Sequence, residues 1–377
     1  MTPATRGGQH REGVTPLRVV GMKVSYYTGK FEGYLRYKEI PYEFVTQTRS
    51  ERSEAVRRTG AAQIPAARLA DGRWMTDTTP MIQWLERQFP DPAVIPVDPE
   101  QRFFSLLVED YAEEWLWRPA MHFRWSYRRD ALQLSRTIVD EALTSVRLPG
   151  AIKRAMIRRR QFGGWVTGDG VTDETWDHIE GCYHGALARL STILETRPFL
   201  LGERPTVADF GYFASMFRHF ALDPTPSHIM RETAPHVWEW VARMWNARAS
   251  TTNGPLVEGV PADWGPILDQ VGSAYLPYLN ANAQAWAVGA ERHDVELQGI
   301  AYRQLPVSRY RVWVLEQLRE NYDAVPDDAK PTVRERLAAH GCWEPLWEID
   351  DPASGYDGDN VPFRGEKVHY PGHRFYG

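Results

Sequence analysis

The spacing of hydrophobic and polar positions changes character along the chain. From Leu17 to about Val94 short apolar runs alternate with amphipathic ones. LRVVGM (17–22) is an unbroken apolar run of strand length, and GKFEGYLRYKE (29–39) sets Phe31, Tyr34 and Leu35 on one side of a helix. PYEFVTQ (41–47) reads as a second strand, and SERSEAVRRTG (50–60) as a helix that ends at Gly60. IPAARLA (64–70) and RWMTD (73–77) flank Asp71-Gly72, a pair that favours a tight hairpin turn. TPMIQWLERQF (79–89) is a third helix, stopped by Phe89-Pro90-Asp91-Pro92. The predicted order is β-α-β-α-β-β-α, with a linker at Pro96 to Pro99.

From Glu100 to about Asn246 the pattern is helical throughout. QRFFSLLVEDYAEEWLWRPAMHF (101–123) places Phe104, Leu107, Val108, Tyr111 and Trp115 at helical spacing, which predicts one long helix. DETWDHIEGCYHGALARLSTILE (173–195) and TVADFGYFASMFRHF (206–220) follow. In the latter Thr206 can cap the helix and Asp209 can return the bond, so both are assigned to folding. Beyond about residue 250 come helical patterns at 266–290, 309–325 and 330–340, and a candidate hairpin, DVELQGIAYRQ, turning at Gln298-Gly299. A tail rich in Gly, Asp and aromatic residues ends the chain. The expected layout is a flexible arm (1–16), an α/β domain (17–95), an all-helical domain (100–250) and an α-rich extension (251–377).

Composition narrows the function classes. An apolar fraction of 43% suits a globular protein, and no apolar run is long enough to span a membrane. The polar start lacks the apolar stretch of a signal peptide. A net charge of −5 gives no reason to expect a nucleic-acid partner. Cys182 and Cys342 form no CxxC pair and cannot build a zinc site, so a reducing, cytoplasmic setting is expected and no metal. The 15 Trp and 17 Tyr, dense between residues 103 and 127, are the unusual feature.

KEIPYEFV (38–45), QIPAARLADG (63–72), TDTTPMIQWLERQFP (76–90) and FLLGERPTVADFGYF (199–213) occur in the order and spacing of family motifs. On them residues 17–246 resemble the glutathione S-transferase superfamily, whereas the last ~125 residues lie outside the resemblance. It implies a thioredoxin-like α/β domain followed by an all-α domain, with glutathione as co-substrate and a homodimer as the assembly. It further implies a cis Ile64-Pro65 bond, which leaves the Ile64 backbone as a short free edge for an extended peptide. Gln63, Ile64, Pro65, Asp77 and Thr78 are then the glutathione-binding residues, Thr78 toward the γ-glutamyl carboxylate and Asp77 toward its ammonium. The plainer alternative for Thr78 is a helix cap.

The residue that activates the thiol falls, by the same resemblance, within VSYYTGKFEGYLRY (24–37). Ser25 ranks first, with Tyr26 and Tyr27 as alternatives. If this stretch ends a strand, Ser25 and Tyr27 share a side and Tyr26 faces away. A hydroxyl donated to the glutathione sulfur favours the thiolate. Tyr111, Trp115, His122, Arg124 and Trp125 are the candidate pocket for a hydrophobic, aromatic electrophile, with core packing as the alternative reading of each Trp. KRAMIRRRQF (153–162) reads as a solvated helix face. DGDN (357–360) lacks the remaining spacing of a calcium loop, and His369 and His373 flank a Pro-Gly turn. The expected activity is glutathione-dependent conjugation or ether or halide cleavage. The alternative is a protein that keeps the fold as a binding or scaffold module, suggested by Tyr26 where the family has Pro and Thr59-Gly60 where it has Asn-Pro.

Overall fold

The computed structural model describes residues 10–365, so His369 and His373 lie outside the described residues. The α/β part runs β1 (Leu17–Gly21), α1 (Tyr26–Tyr37), β2 (Tyr42–Thr46), α2 (Arg49–Thr59), β3 (Ala66–Arg68), β4 (Trp74–Thr76) and α3 (Thr78–Gln88). Its four-stranded sheet has the order β2-β1-β3-β4. β1 pairs parallel with β2 and antiparallel with β3, and β3 pairs antiparallel with β4. This is the thioredoxin-like arrangement. The central strand β1 is covered on both faces, Val19 and Val20 both being fully buried, which is why its sequence shows no polar alternation.

α1 begins three residues earlier than its periodicity suggests, because Ser25 caps it: Ser25 Oγ accepts the Thr28 N–H at 3.3 Å. The strand alternation expected at Ser25, Tyr26 and Tyr27 is therefore replaced by a helical first turn, since the hydroxyl bond stops the extended backbone.

The helical part comprises α4 (Pro99–Glu114), α5 (Trp117–Ser126), α6 (Arg128–Ala142), α7 (Gly150–Trp165), α8 (Trp176–Leu194), α9 (Val207–Ser215), α10 (Pro224–Thr233) and α11 (Pro235–Asn246). The long helix expected over 101–123 is two helices. Pro119 has no N–H to give and its ring would strike the carbonyl of Trp115, so the chain breaks there and α5 takes a new direction. α9 continues as a π turn, Met216–Phe220. A Cβ on Gly211 would lie 2.7 Å from the Glu109 Cα, so only glycine lets α9 press against α4 this closely. α7 buries none of its residues, in agreement with a solvated basic helix.

The extension forms α12 (Gly265–Gln270), a π turn (Val271–Tyr275), α13 (Leu276–Ala287), β5 (Arg292–Leu297), β6 (Ile300–Pro306), α14 (Arg309–Asp323), α15 (Lys330–Ala339) and α16 (Trp343–Trp347). The expected hairpin is present as β5–β6, with Gln298 at φ 52° and Gly299 at φ 81°, the two positive φ values of a type I′ turn. This extension packs on both domains. Arg336 pairs with Glu100 at 2.8 Å, the Tyr275 hydroxyl donates to Asp110 at 2.5 Å, and the Gln101 amide reaches Val257 O and Gly259 O. Near the chain's end Pro362 O accepts the Thr76 N–H at 2.9 Å and Gly365 N–H donates to Thr59 O at 2.8 Å. The tail thereby covers part of the open edge at β4, the kind of edge that otherwise recruits another strand. Among the described residues no helix is long and apolar enough to cross a membrane.

Candidate active site

A cavity of about 740 Å³ opens where the β1–α1 loop, the residues before β3, the start of α3 and the helical part meet. That is a size suited to a small molecule with its co-substrate. Ser25, Tyr26 and Tyr27 line it, as do Gln63, Ile64, Pro65, Asp77 and Thr78. The Ile64-Pro65 bond is cis.

These residues arrive by different local routes. Ser25 sits at the N-terminus of α1, where its oxygen takes the Thr28 N–H and its own proton remains to be given. The positive end of the helix dipole lies at the same place and favours an anion. Tyr26 contributes its ring, but its hydroxyl donates to Ala112 O at 2.9 Å on α4. Tyr27 directs its hydroxyl to Glu114 Oε1 at 3.5 Å. Asp77 occupies the N-cap position of α3 at φ 70°, an uncommon region for a residue with a side chain, and makes no capping bond. Thr78 follows as the first helical residue, so it is not the cap. The first-turn N–H groups of α3 have no side-chain cap.

One part of the cavity lining is acidic, while α2 adds Arg49, Arg52 and Arg57 elsewhere on the wall. Asp77, Glu113 and Glu114 form the acidic part. Behind them the fully buried Lys30 pairs with Glu109 at 2.5 Å and with Glu113 at 2.7 Å, while Thr79 donates to both carboxylates. Burial pushes the Asp77 carboxyl up to about 7, and Lys30 only partly opposes it. Burial also raises Glu113 well above the ordinary carboxylate range, with Lys30 opposing and Glu109 adding to the rise. Asp77 Oδ2 and Gln63 Oε1 are buried at this end with no protein partner.

The other end is apolar. Trp117, Met121 and Trp125 from α5 face Trp165 from α7 and Ile138 from α6. His219, from the π turn after α9, sits at the back against the Tyr26 ring at 5.3 Å. Burial, then the neighbouring Arg124, hold its pKa well below the usual value, so the imidazole is neutral.

Of the residues expected to form the electrophile pocket, two reach this cavity and three do not. Arg124 and Trp125 line the cavity; Tyr111, Trp115 and His122 do not. Tyr111 packs against Tyr212 and Tyr275, Trp115 against Tyr278, and His122 bonds Glu180 at 3.0 Å. The break at Pro119 is the cause, because it re-phases α5 relative to α4. Arg124, though at the wall, spends its guanidinium on Asp223, Val24 O and Arg218 O. It holds the loop that carries Ser25. Trp117 and Met121, outside the expected set, had a signal, since with Trp125 they recur at the four-residue spacing of one helix face. Tyr310 and Arg311, which also line the cavity from α14, had none.

Sequence comparison gives two family matches. Residues 19–93 match the glutathione S-transferase N-terminal domain and residues 173–243 the glutathione S-transferase C-terminal domain. Through these two domains the chain belongs to the glutathione S-transferase superfamily, with an extension of its own after residue 243. No curated protein matches it. Among solved structures, a glutathione S-transferase of Methylobacterium radiotolerans in complex with glutathione sulfonate is 21% identical, the match covering 65% of this chain and 97% of that one at a TM-score of 0.38. The β-etherase LigF of a Sphingobium strain is 19% identical, over 60% of this chain and 94% of that one, at a TM-score of 0.43. A protein of Pseudomonas syringae described as glutathione S-transferase-like is 15% identical, over 63% of this chain and 71% of that one, at a TM-score of 0.42.

Proposed function

We propose that the protein is a glutathione-dependent transferase acting on a hydrophobic, aromatic electrophile. One observation carries the reading: a helix-capping serine, a peptide-edge residue and an uncapped helix start share one cavity with a tryptophan-lined wall. Ser25 donates its proton to the glutathione sulfur, and the α1 dipole adds to the stabilisation of the thiolate. Ile64 pairs with the cysteinyl backbone, Gln63 adds an amide, and Thr78 with the N–H groups of α3 takes the γ-glutamyl carboxylate. The thiolate attacks the electrophilic carbon, a carbon–sulfur bond forms, and a halide or an alkoxide departs with the displaced electron pair. The tryptophans supply flat apolar contact for the ring being attacked.

The two cysteines are free and buried, and burial pushes Cys182 up to about 11 and Cys342 up to about 12, so neither competes as nucleophile. Free buried thiols suit the cytoplasm, which is part of the proposal. So is the homodimer, to be checked by sedimentation, although the cavity is lined from one chain. The deciding experiment is glutathione binding by calorimetry followed by conjugation of 1-chloro-2,4-dinitrobenzene. Binding with turnover supports the reading. Binding without turnover favours the binding or scaffold alternative, and absence of binding overturns the transferase reading.

A further inference from the structure

Two side chains of the extension enter the cavity at its acidic part. Tyr310, in the first turn of α14, points its hydroxyl at Asp77 Oδ1, at 3.4 Å, across 233 positions of sequence. Its ring is held from behind by Trp313 at 5.4 Å and Tyr356 at 6.4 Å, both within the extension. Arg311 follows, buried, with its Nε 3.4 Å from Glu114 Oε2 and its guanidinium 5.1 Å from the Tyr278 ring. Glu114 is also the acceptor for Tyr27, two residues from Ser25. The extension therefore touches the site at both the Asp77 end and, through Glu114, the Ser25 end.

Asp77 divides its two oxygens accordingly. Oδ1 meets Tyr310, while Oδ2 is buried with no protein partner in a residue that lines the cavity. An unpaired buried carboxylate oxygen is costly and calls for a donor. Lys30 from α1 acts on it against Glu109 and Glu114 from α4, with Arg311 paired to Glu114, so what Oδ2 lacks is a hydrogen-bond donor of its own. A ligand ammonium would supply the missing donor.

We propose that the extension completes the ligand site, with Tyr310 as a positioning residue that fixes Asp77 so its free oxygen receives an ammonium group of the bound peptide. This rests on the reading of the cavity as a glutathione site, and it adds a site residue from outside both family domains. The remainder of the extension then acts as the buttress of Tyr310. The aromatic stack of Tyr310, Trp313 and Tyr356 leaves that ring little room to turn away.

The test is calorimetric binding of S-hexylglutathione and of its glutaryl analogue, which lacks only the α-ammonium, to the full chain and to Tyr310→Phe. Loss of one positioning hydrogen bond should weaken S-hexylglutathione about 5-fold and leave the glutaryl analogue unchanged. Equal affinities of the two proteins for S-hexylglutathione would overturn the proposal, as would an equal loss for both ligands, which marks a merely structural role. If the unsubstituted chain binds neither ligand, the glutathione reading itself falls and takes the proposal with it. Hydrogen exchange of the unsubstituted chain provides a measurement that needs no variant. Amides of 309–314 should slow when S-hexylglutathione is added, and unchanged exchange there, with binding shown, counts against the proposal.

Discussion

At the scale of single residues the site separates groups that hold from groups that react. Ser25 has its lone pair committed to the Thr28 N–H and its proton uncommitted, whereas the Tyr26 proton is given to the α4 backbone. Ser25→Ala should therefore lower conjugation at neutral pH by on the order of 10²-fold and move the pH–rate profile to higher pH, with KM for the electrophile little changed. Tyr26→Phe should cost stability of roughly 1 kcal/mol and leave that profile in place. The reverse pattern would transfer the thiol to Tyr26. Thr78, now seen as the first helical residue and not the cap, should act on affinity: Thr78→Ala is expected to weaken glutathione binding by about 1.5 to 3 kcal/mol with a small change in melting temperature. Arg124 is different again. With Asp223 buried behind it, Arg124→Met should destabilise the fold by roughly 3 to 5 kcal/mol, because a carboxylate is left without its partner.

Elements explain where side chains point. The α4–α5 break decides that Trp117, Met121 and Trp125 face the cavity while Tyr111 and Trp115 face the extension. Asp209 shows how firmly one element start can be anchored: its carboxylate accepts from Leu200 N, Thr206 N, the Thr206 hydroxyl and Trp240 Nε1. Asp209→Ala leaves several buried donors unpaired and should cost about 3 kcal/mol or more, read as a fall in melting temperature by scanning calorimetry. Glutathione affinity of the remaining folded protein should be unchanged, since this start lies outside the cavity lining. Gly299, at φ 81° in the β5–β6 turn, marks an element that local chemistry specifies by itself. Thr206, Asp209 and Gly299 were legible because each bond or dihedral involves residues a few positions apart. The pocket wall at 117–125 was legible in period but not in phase, since one proline in the first turn of α5 ends α4 before it and changes which face meets the cleft.

For the molecule as a whole, buried carboxyls in and behind the cavity wall link stability to pH. The Asp77 carboxyl is raised to about 7 and that of Asp223 to about 6, both chiefly by burial, and Glu113 is raised with them. Unfolded carboxyls titrate near ~4. Between these limits the folded protein holds more protons than the unfolded chain, so stability falls as pH rises from about 4 through about 7. The melting temperature of the free protein should therefore drop between pH 5 and pH 8, by scanning calorimetry at constant ionic strength, and Asp77→Asn should flatten the slope. Because His219, held neutral by burial, works in the opposite direction, the deciding comparison is with Asp77→Asn: an unchanged slope would mean that Asp77 stays ionised in the fold.

The order β-α-β-α-β-β-α, the β5–β6 hairpin and the start of α9 were set by the sequence alone, because strand and helix periods, turn residues and caps act over a few positions. Ser25, Ile64 and Thr78, which the family resemblance singles out, line one cavity. Tertiary structure decided the rest: that Tyr111, Trp115 and His122 face away, that His219 closes the back of the site, and that Tyr310 and Arg311 reach it from α14. A side chain's period is fixed by its own helix, but what that face meets depends on contacts between segments far apart in the chain, and those contacts leave no local pattern in the sequence.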